Sequence, residues 1–371
     1  MTMQATISIC EKIHGLAGKA QKGQRRVQIM EICGTHTMAI ARNGLRSMLQ
    51  ADVRLTSGPG CPVCVTDQSY MDQAVRLARS QRNVIIATYG DMVRVPGRLG
   101  SLGEARAAGA RIEVVYSVLQ AVELAKRTAD REVVFLGVGF ETTAPGTALA
   151  VKNAREEGLR NFSVLTAHKW ILPAMHALLA AGNVQVDAFL CPGHVSVILG
   201  YGAYEEIVRT YRLPCVVAGF DALQVLLGIQ EIMAELAQGE PKSTTIYPSV
   251  TREGNAKARE LLHEVFQVVD APWRALGVIA GSGMALRPEW AEFDAQRRFS
   301  LPEEASYEMP GCRCGDVICG RCYPSECTLF GKRCTPRDPV GPCMVSSEGA
   351  CAAAYKYELP ATRKPVSSDE N

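Results

Sequence analysis

Eight of the chain's fourteen cysteines crowd into the forty residues from 312 to 351: Cys312, Cys314, Cys319, Cys322, Cys327, Cys334, Cys343 and Cys351. Around them, beyond about residue 300, glycine and proline become dense and apolar periodicity fades. A segment of this kind takes its order from a metal or from cross-links rather than from a core of its own. Cys10, Cys33, Cys61, Cys64, Cys191 and Cys215 are spread over the preceding 311 residues.

Which explanation applies depends on the compartment. The N-terminus lacks a signal-peptide pattern, and no apolar run approaches the ~20 residues needed to cross a bilayer. Forty basic and thirty-eight acidic residues leave a formal charge of +2, so no global field draws the chain to nucleic acid or membrane. These features read as a cytoplasmic protein, and a reducing compartment disfavours a structural disulfide framework. The polar tail Arg363 to Asn371 reads as disordered.

The first ~280 residues alternate short β-rich runs with amphipathic stretches, the pattern of a parallel sheet covered by helices. Strands are predicted at Val27–Ile32, Val53–Thr56, Val84–Thr88, Ile112–Val115, Val133–Gly137, Ser163–Thr166, Ala188–Cys191, Cys215–Ala218 and Gly277–Ala280. Asp67–Ser80, Ser117–Thr128, Ala144–Glu157 and Pro173–Ala181 suit crossover helices. A similar strand series before and after about residue 125 suggests two Rossmann-like α/β halves facing a cleft, over 1–125 and 126–300, followed by a cysteine-rich region over 301–371. The aromatic pair Tyr355 and Tyr357 is expected to pack that region back on the body.

Reactive residue types sit where these strands end, the position at which open α/β sheets collect ligands. Cys33 ends the first strand and is followed by Gly34, which permits close approach of a ligand, and by His36. Inert packing of a buried cysteine is the bland reading; a thiol–imidazole pair for a soft metal or for proton transfer is the functional one. Cys61-Pro-Val-Cys64 follows a Gly-Pro-Gly turn and precedes a helix, a setting that stabilises thiolates and permits a reversible disulfide. Half of a zinc site is the alternative. Glu141 and Thr142 follow a glycine-rich strand end, where Thr142 or Thr143 could equally cap the next helix. No dinucleotide fingerprint or Walker lysine is present. Of His168, His176 and His194, the last, between Gly193 and Val195, is the best placed for function. Cys10, Cys191 and Cys215 read as core.

In the C-terminal region Cys312, Cys327, Cys334 and Cys351 are spaced by 14, 6 and 16 residues, with the other four interleaved. Four thiolates hold a cubane iron–sulfur cluster or a structural zinc, and spacing alone leaves both open.

Taken together, Glu31-Ile-Cys-Gly-Thr-His-Thr37, Gly58-Pro-Gly-Cys-Pro-Val-Cys64, Gly139-Phe-Glu-Thr-Thr143, Pro192-Gly-His-Val-Ser196, Cys327-Thr-Leu-Phe-Gly-Lys-Arg-Cys334-Thr-Pro336, Gly341-Pro-Cys-Met-Val-Ser-Ser-Glu-Gly349 and Cys351 resemble the HypD family of hydrogenase maturation factors. The resemblance implies a scaffold on which the iron of [NiFe]-hydrogenase acquires two cyanides and a carbon monoxide. It implies a small partner, HypC, and docking of HypE carrying cyanide made with HypF, with the hydrogenase large subunit as eventual recipient. By position, Cys33 matches the cysteine that holds the nascent iron, and Cys61 and Cys64 match a redox dithiol. Cys312, Cys327, Cys334 and Cys351 match four ligands of a [4Fe-4S] cluster, and Cys314 and Cys343 a second dithiol. His36 is expected to support Cys33 from behind, with Glu141, Thr142 and His194 lining the cleft. Cys319 and Cys322 depart from the family pattern. The rival expectations are a disulfide oxidoreductase resembling ferredoxin–thioredoxin reductase and a zinc-stabilised binding protein.

Overall fold

The computed structural model describes residues 3–21 and 25–359, so the polar tail lies outside the described residues. Its strands are β1 (Val27–Glu31), β2 (Val53–Ser57), β3 (Val84–Thr88), β4 (Arg111–Val114), β5 (Glu132–Gly139), β6 (Phe162–His168), β7 (Ala188–Pro192), β8 (Cys215–Ala218), β9 (Ser243–Thr245), β10 (Phe266–Trp273) and β11 (Gly277–Leu286). They form two parallel sheets, ordered β2-β1-β7-β8-β9 and β4-β3-β5-β6, and one antiparallel hairpin, β10-β11. β1, β3, β7 and β8 are buried at every position, as a sheet covered on both faces requires.

Helices supply that cover. Gln68–Ser80 starts at Asp67, whose side chain accepts from the Ser69 N–H, and Ala222–Gln238 starts at Asp221, which accepts from the Gln224 N–H. Ala222–Gln238 stops at Gly239, whose φ of 72° lies in the left-handed region. Met3–Ala20 packs along it, and together they bury one face of the five-stranded sheet. A further apolar cluster joins the opposite face to the C-terminal region, where most of its cysteines are buried.

The α/β architecture with two parallel-sheet halves and a cysteine-rich end agrees with the sequence. The boundary near residue 125 does not divide the sheets. β3 pairs with β5 across it, so the four-stranded sheet straddles the boundary, and β1 pairs with β7, so the five-stranded sheet joins two separated stretches of chain. Crossover helices look the same in sequence whether they return to the same sheet or lead to another. The strand predicted at Gly277–Ala280 is the start of β11 in the hairpin. β9 and β10 were not anticipated: β9 is three residues long, and β10 alternates buried and exposed positions. Tyr355 packs against the body's cluster and edge-on to Phe330, whereas Tyr357 is exposed.

Strand order reverses between β1 and β7 in one sheet and between β3 and β5 in the other. At such points the loops diverge and leave a crevice. Cys33 and the Pro192–His194 turn flank the first; Asp91 and Glu141 follow the two strands that flank the second. Between them runs the loop after β2. The Gly58 N–H donates to the Glu31 carbonyl at 2.7 Å, and the Gly34 N–H donates to the Gly60 carbonyl at 3.3 Å. A β-carbon on residue 60 would lie 2.2 Å from the Cys33 nitrogen. Gly60→Ala is therefore expected to cost about 1–3 kcal/mol in urea unfolding. Gly18→Ala, in a helix with nothing within 4 Å of the added carbon, is expected to stabilise by about 0.5–1 kcal/mol.

Candidate metal and dithiol centre

Cys33 is the N-cap of the helix Gly34–Arg42. Its N–H donates to Glu31 Oε2 at 3.1 Å, and the other oxygen of that carboxyl accepts from Thr37 Oγ1. Glu31 thus ties the end of β1 to the first turn of the helix and fixes the direction of Cys33. The thiol is only 9% exposed. Burial pushes it up to about 12, against the opposing pull of the His36 and Thr35 backbone N–H groups. It is a neutral thiol at pH 7, and a metal bound here displaces a proton.

His36 is fully buried, and Nε2 donates to the Gly219 carbonyl at 2.9 Å. Its backbone N–H reaches the Cys33 sulfur, whereas its ring anchors the end of β8. Burial lowers the imidazole to about 4, and Nδ1 is left without a partner. Phe220 lies between the rings of His36 and His194, with centroids 5.3 and 4.0 Å away. His194 is exposed.

Cys61 and Cys64 form a disulfide spanning the one-turn helix Pro62–Val65. The Cys64 N–H donates to Cys61 Sγ at 3.2 Å, and Ser346 Oγ lies 3.4 Å from the same sulfur. Buried Arg274, at the hairpin tip, donates to the carbonyls of Cys64 and Thr66 at 2.9 and 2.8 Å. It locks the dithiol loop from outside.

Glu141 is fully buried: Oε1 accepts from the Ile171 N–H at 2.9 Å and Oε2 has no partner. Burial raises its carboxyl to about 7. Thr142 is exposed and caps nothing; Thr143, the N-cap residue, donates to the Phe140 carbonyl without bonding the helix amides. His168 bonds Thr147 and packs edge-on to Phe266, a structural role. Cys10, Cys191 and Cys215 are core residues.

The turn 346–348 joins the pieces. Ser346 Oγ and the Ser347 N–H donate to Asp91 Oδ2 at 3.2 and 2.8 Å, while Thr35 Oγ1 donates to Glu348 Oε1 at 2.6 Å. A β-carbon at Gly34 would lie 2.4 Å from that of Glu348. Glu31, Asp91, Arg274, Ser346 and Glu348 were not singled out as site residues from the sequence. A carboxylate ending the buried β1, and Ser346 and Glu348 within the Gly341–Gly349 motif, were the available signals.

Cys312, Cys314, Cys327, Cys334 and Cys351 line one gap, floored by Leu329, Phe330 and Met344. The four cysteines expected to act together are thus neighbours. The Cys314 N–H donates to Cys312 Sγ and the Val340 N–H to Cys334 Sγ, both at 3.4 Å, the kind of contact that stabilises cluster thiolates. A β-carbon at Gly341 would lie 2.5 Å from Cys312 Sγ. The gap measures about 10 Å³, hardly a water's worth, so a cubane would have to part the thiols. Among the described residues no three His, Cys, Asp or Glu are spaced around a single-ion position. Cys343 hydrogen-bonds Cys314 and Cys351, whose thiols hold it below the usual range. Cys319 and Cys322 are buried but do not line the gap. On the far side of the dithiol loop, a half-open cleft of about 520 Å³ is lined by Asp67 and buried Lys169, whose amine donates to the Pro272 carbonyl.

Two parallel sheets packed around a disulfide and a group of buried cysteines define a thiol-rich α/β protein. The chain belongs to the HypD family of hydrogenase maturation proteins: the HypD profile, described as "Hydrogenase formation hypA family", matches residues 5–358. It is 45% identical over 343 residues to the hydrogenase maturation factor HypD of Azotobacter vinelandii, covering 90% of each chain. It is 42% identical over 336 residues to that of Escherichia coli, again 90% of each. With that of Rhizobium leguminosarum it shares 42% over 358 residues, 94% of this chain and 92% of the relative. No helix among the described residues is long and apolar enough to cross a membrane.

The Glu141 carboxyl gives a pH signature. Its folded value of about 7 lies above its ordinary 4.5, so its contribution is most favourable below about 4.5 and is lost as pH rises through 7. Gln keeps the acceptor for Ile171 and does not titrate. From about pH 4.5 to pH 8, the urea-unfolding stability of wild type should fall relative to Glu141→Gln by on the order of 3 kcal/mol.

Proposed function

We propose that this chain is a cytoplasmic scaffold on which the iron of [NiFe]-hydrogenase acquires its cyanide and carbonyl ligands. The observation that carries the reading is that Gly60, which directly precedes the Cys61–Cys64 disulfide in the chain, packs against the backbone of Cys33. The iron is cargo, and the Cys33 thiol holds it after giving up its proton. Low-spin iron with strong-field ligands suits a soft sulfur anchor. Glu31 and the helix amides hold that sulfur in place, and a small HypC-type partner would have to open the site to reach the buried Cys33 thiol. HypE, charged with cyanide through HypF, would meet the complex at this crevice, and the hydrogenase large subunit would receive the product.

Cys312, Cys327, Cys334 and Cys351 would hold a [4Fe-4S] cluster, which supplies one-electron transfer when bound. The Cys61–Cys64 pair exchanges electrons by opening and closing its bond. Arg274 and the turn 346–348 keep that loop seated in both states. Cys314 and Cys343, buried beside the cluster ligands, form a second pair of thiols.

The test is an infrared spectrum of the protein purified anaerobically with its small partner, with iron and sulfide analysed alongside. Cyanide and carbonyl stretches, with about four cluster irons and one more expected from the site count, support the scaffold. Cys33→Ala should lose the stretches and the extra iron while keeping the cluster absorbance; retained stretches would remove Cys33 from its role. Cluster iron without stretches, together with turnover of a protein disulfide, would favour the reductase reading that rests on the same disulfide. Zinc in place of iron would end both.

A further inference from the structure

The environment of Cys61 is asymmetric in a way that the proposed chemistry does not use. The Ser346 hydroxyl is 2% exposed and has three neighbours. It donates its proton to Asp91 Oδ2 at 3.2 Å and accepts from the Glu348 N–H at 3.2 Å. Its remaining lone pair faces Cys61 Sγ, 3.4 Å away. Asp91 is itself fixed, because the Ser347 N–H and Oγ also donate to Oδ2, at 2.8 and 2.9 Å. A hydroxyl whose proton is held elsewhere can accept from a thiol but cannot donate to a thiolate. Opposing it, the Cys64 N–H donates to Cys61 Sγ at 3.2 Å and favours the thiolate.

We propose that Ser346 and Asp91 are positioning residues that hold Cys61, once the disulfide is opened, as a neutral thiol whose S–H donates into the chain Cys61–Ser346–Asp91. Opening the bond takes two electrons, from a dithiol reductant in the test below, and two protons, one for each sulfur. Keeping the proton on Cys61 withholds the nucleophile that would attack other disulfides. Reclosure gives two electrons and two protons to an oxidised disulfide such as oxidised dithiothreitol: Cys64 attacks it first, and Cys61 then displaces the bound dithiol from Cys64, its proton going to the released thiolate. This rests on the reading of Cys61 and Cys64 as a working redox pair.

The elements packed against this turn carry other titratable groups. Arg274 approaches from the hairpin tip, bound to the carbonyls of Cys64 and Thr66. Glu348 lies on the turn itself, bound to Thr35. Cys343 is on Pro342–Val345, and Cys314 and Asp316 are on Cys314–Ile318, where Asp316 pairs with Arg313 and Arg321. The titratable residue of β5, Glu132, pairs with Arg298. Asp91 is the carboxylate connected to Cys61 through a single hydroxyl.

The anaerobically purified full chain is reduced with dithiothreitol, freed of it, and alkylated with iodoacetamide from pH 6 to 10. Cys61 and Cys64 are then quantified separately by fragmentation mass spectrometry. Asp91→Asn keeps an acceptor for the Ser347 N–H, weakens the hold on the Ser346 proton and leaves the Cys64 amide unopposed. Its Cys61 profile should move down by about one pH unit, which is roughly tenfold faster alkylation at pH 7. Ser346→Thr, which keeps the hydroxyl, should retain the wild-type profile. In a Ser346→Ala background the Asp91→Asn shift should shrink below about threefold, because the hydroxyl transmits it. An unchanged Cys61 profile in Asp91→Asn overturns the proposal. So does an equal shift with and without the hydroxyl, which would mean charge acting through space. If instead Cys61 and Cys64 never form a reversible disulfide in thiol buffers, the redox reading fails, a result visible in the mass of the pair before any alkylation profile is taken.

Discussion

Everything at the centre of this molecule depends on the hydrogen bonds of one turn. Residues 346–348 carry no metal ligand and no redox thiol, yet they bind Thr35 at one switch point and Asp91 at the other, and they touch Cys61 between them. The helix Ala350–Tyr357, which follows directly, packs on Gly34–Arg42 and brings Cys351 to its gap. The cysteine-rich end is therefore one of the pieces that hold the two sheets at a fixed spacing.

The groups around the crevice share a second property: burial keeps them uncharged. Cys33 and Glu141 are pushed towards their protonated forms and His36 towards its neutral one, each chiefly by desolvation. The unpartnered Nδ1 of His36 and Oε2 of Glu141 are among the buried polar atoms there with unused capacity.

Much of this was legible in the sequence. Continuous apolar runs such as Val84–Thr88 mark strands buried on both faces, and glycines beside cysteines at strand ends mark close approach. The four spaced cysteines are neighbours in the fold, and the Cys61–Cys64 spacing is bridged. What escaped has a common physical cause. Strand pairing across crossovers, the hairpin tip with Arg274, and the link from Ser346 to Asp91 are contacts between residues far apart in the chain, and nothing local in the sequence announces them. His36 shows the same limit at short range. Its proximity to Cys33 along the chain suggested a ring contact, but the helix turns that ring towards β8 and leaves only the backbone amide for the sulfur.

The interleaving of the two sheets also sets an order of events at the ribosome. The four-stranded sheet uses residues 84–168 without interruption, whereas Ile29 of β1 must wait for Ala188 of β7. Contacts of such separation form late, because the intervening loop must close first. During synthesis the four-stranded sheet can be complete while β1 and β2 still lack their partner, and the turn that seals the centre emerges later than either sheet. Cys33 is thus exposed to the cell for most of translation and is enclosed only when the C-terminal cysteines arrive. A nascent chain of this protein carries the Cys33 thiol unguarded throughout that period.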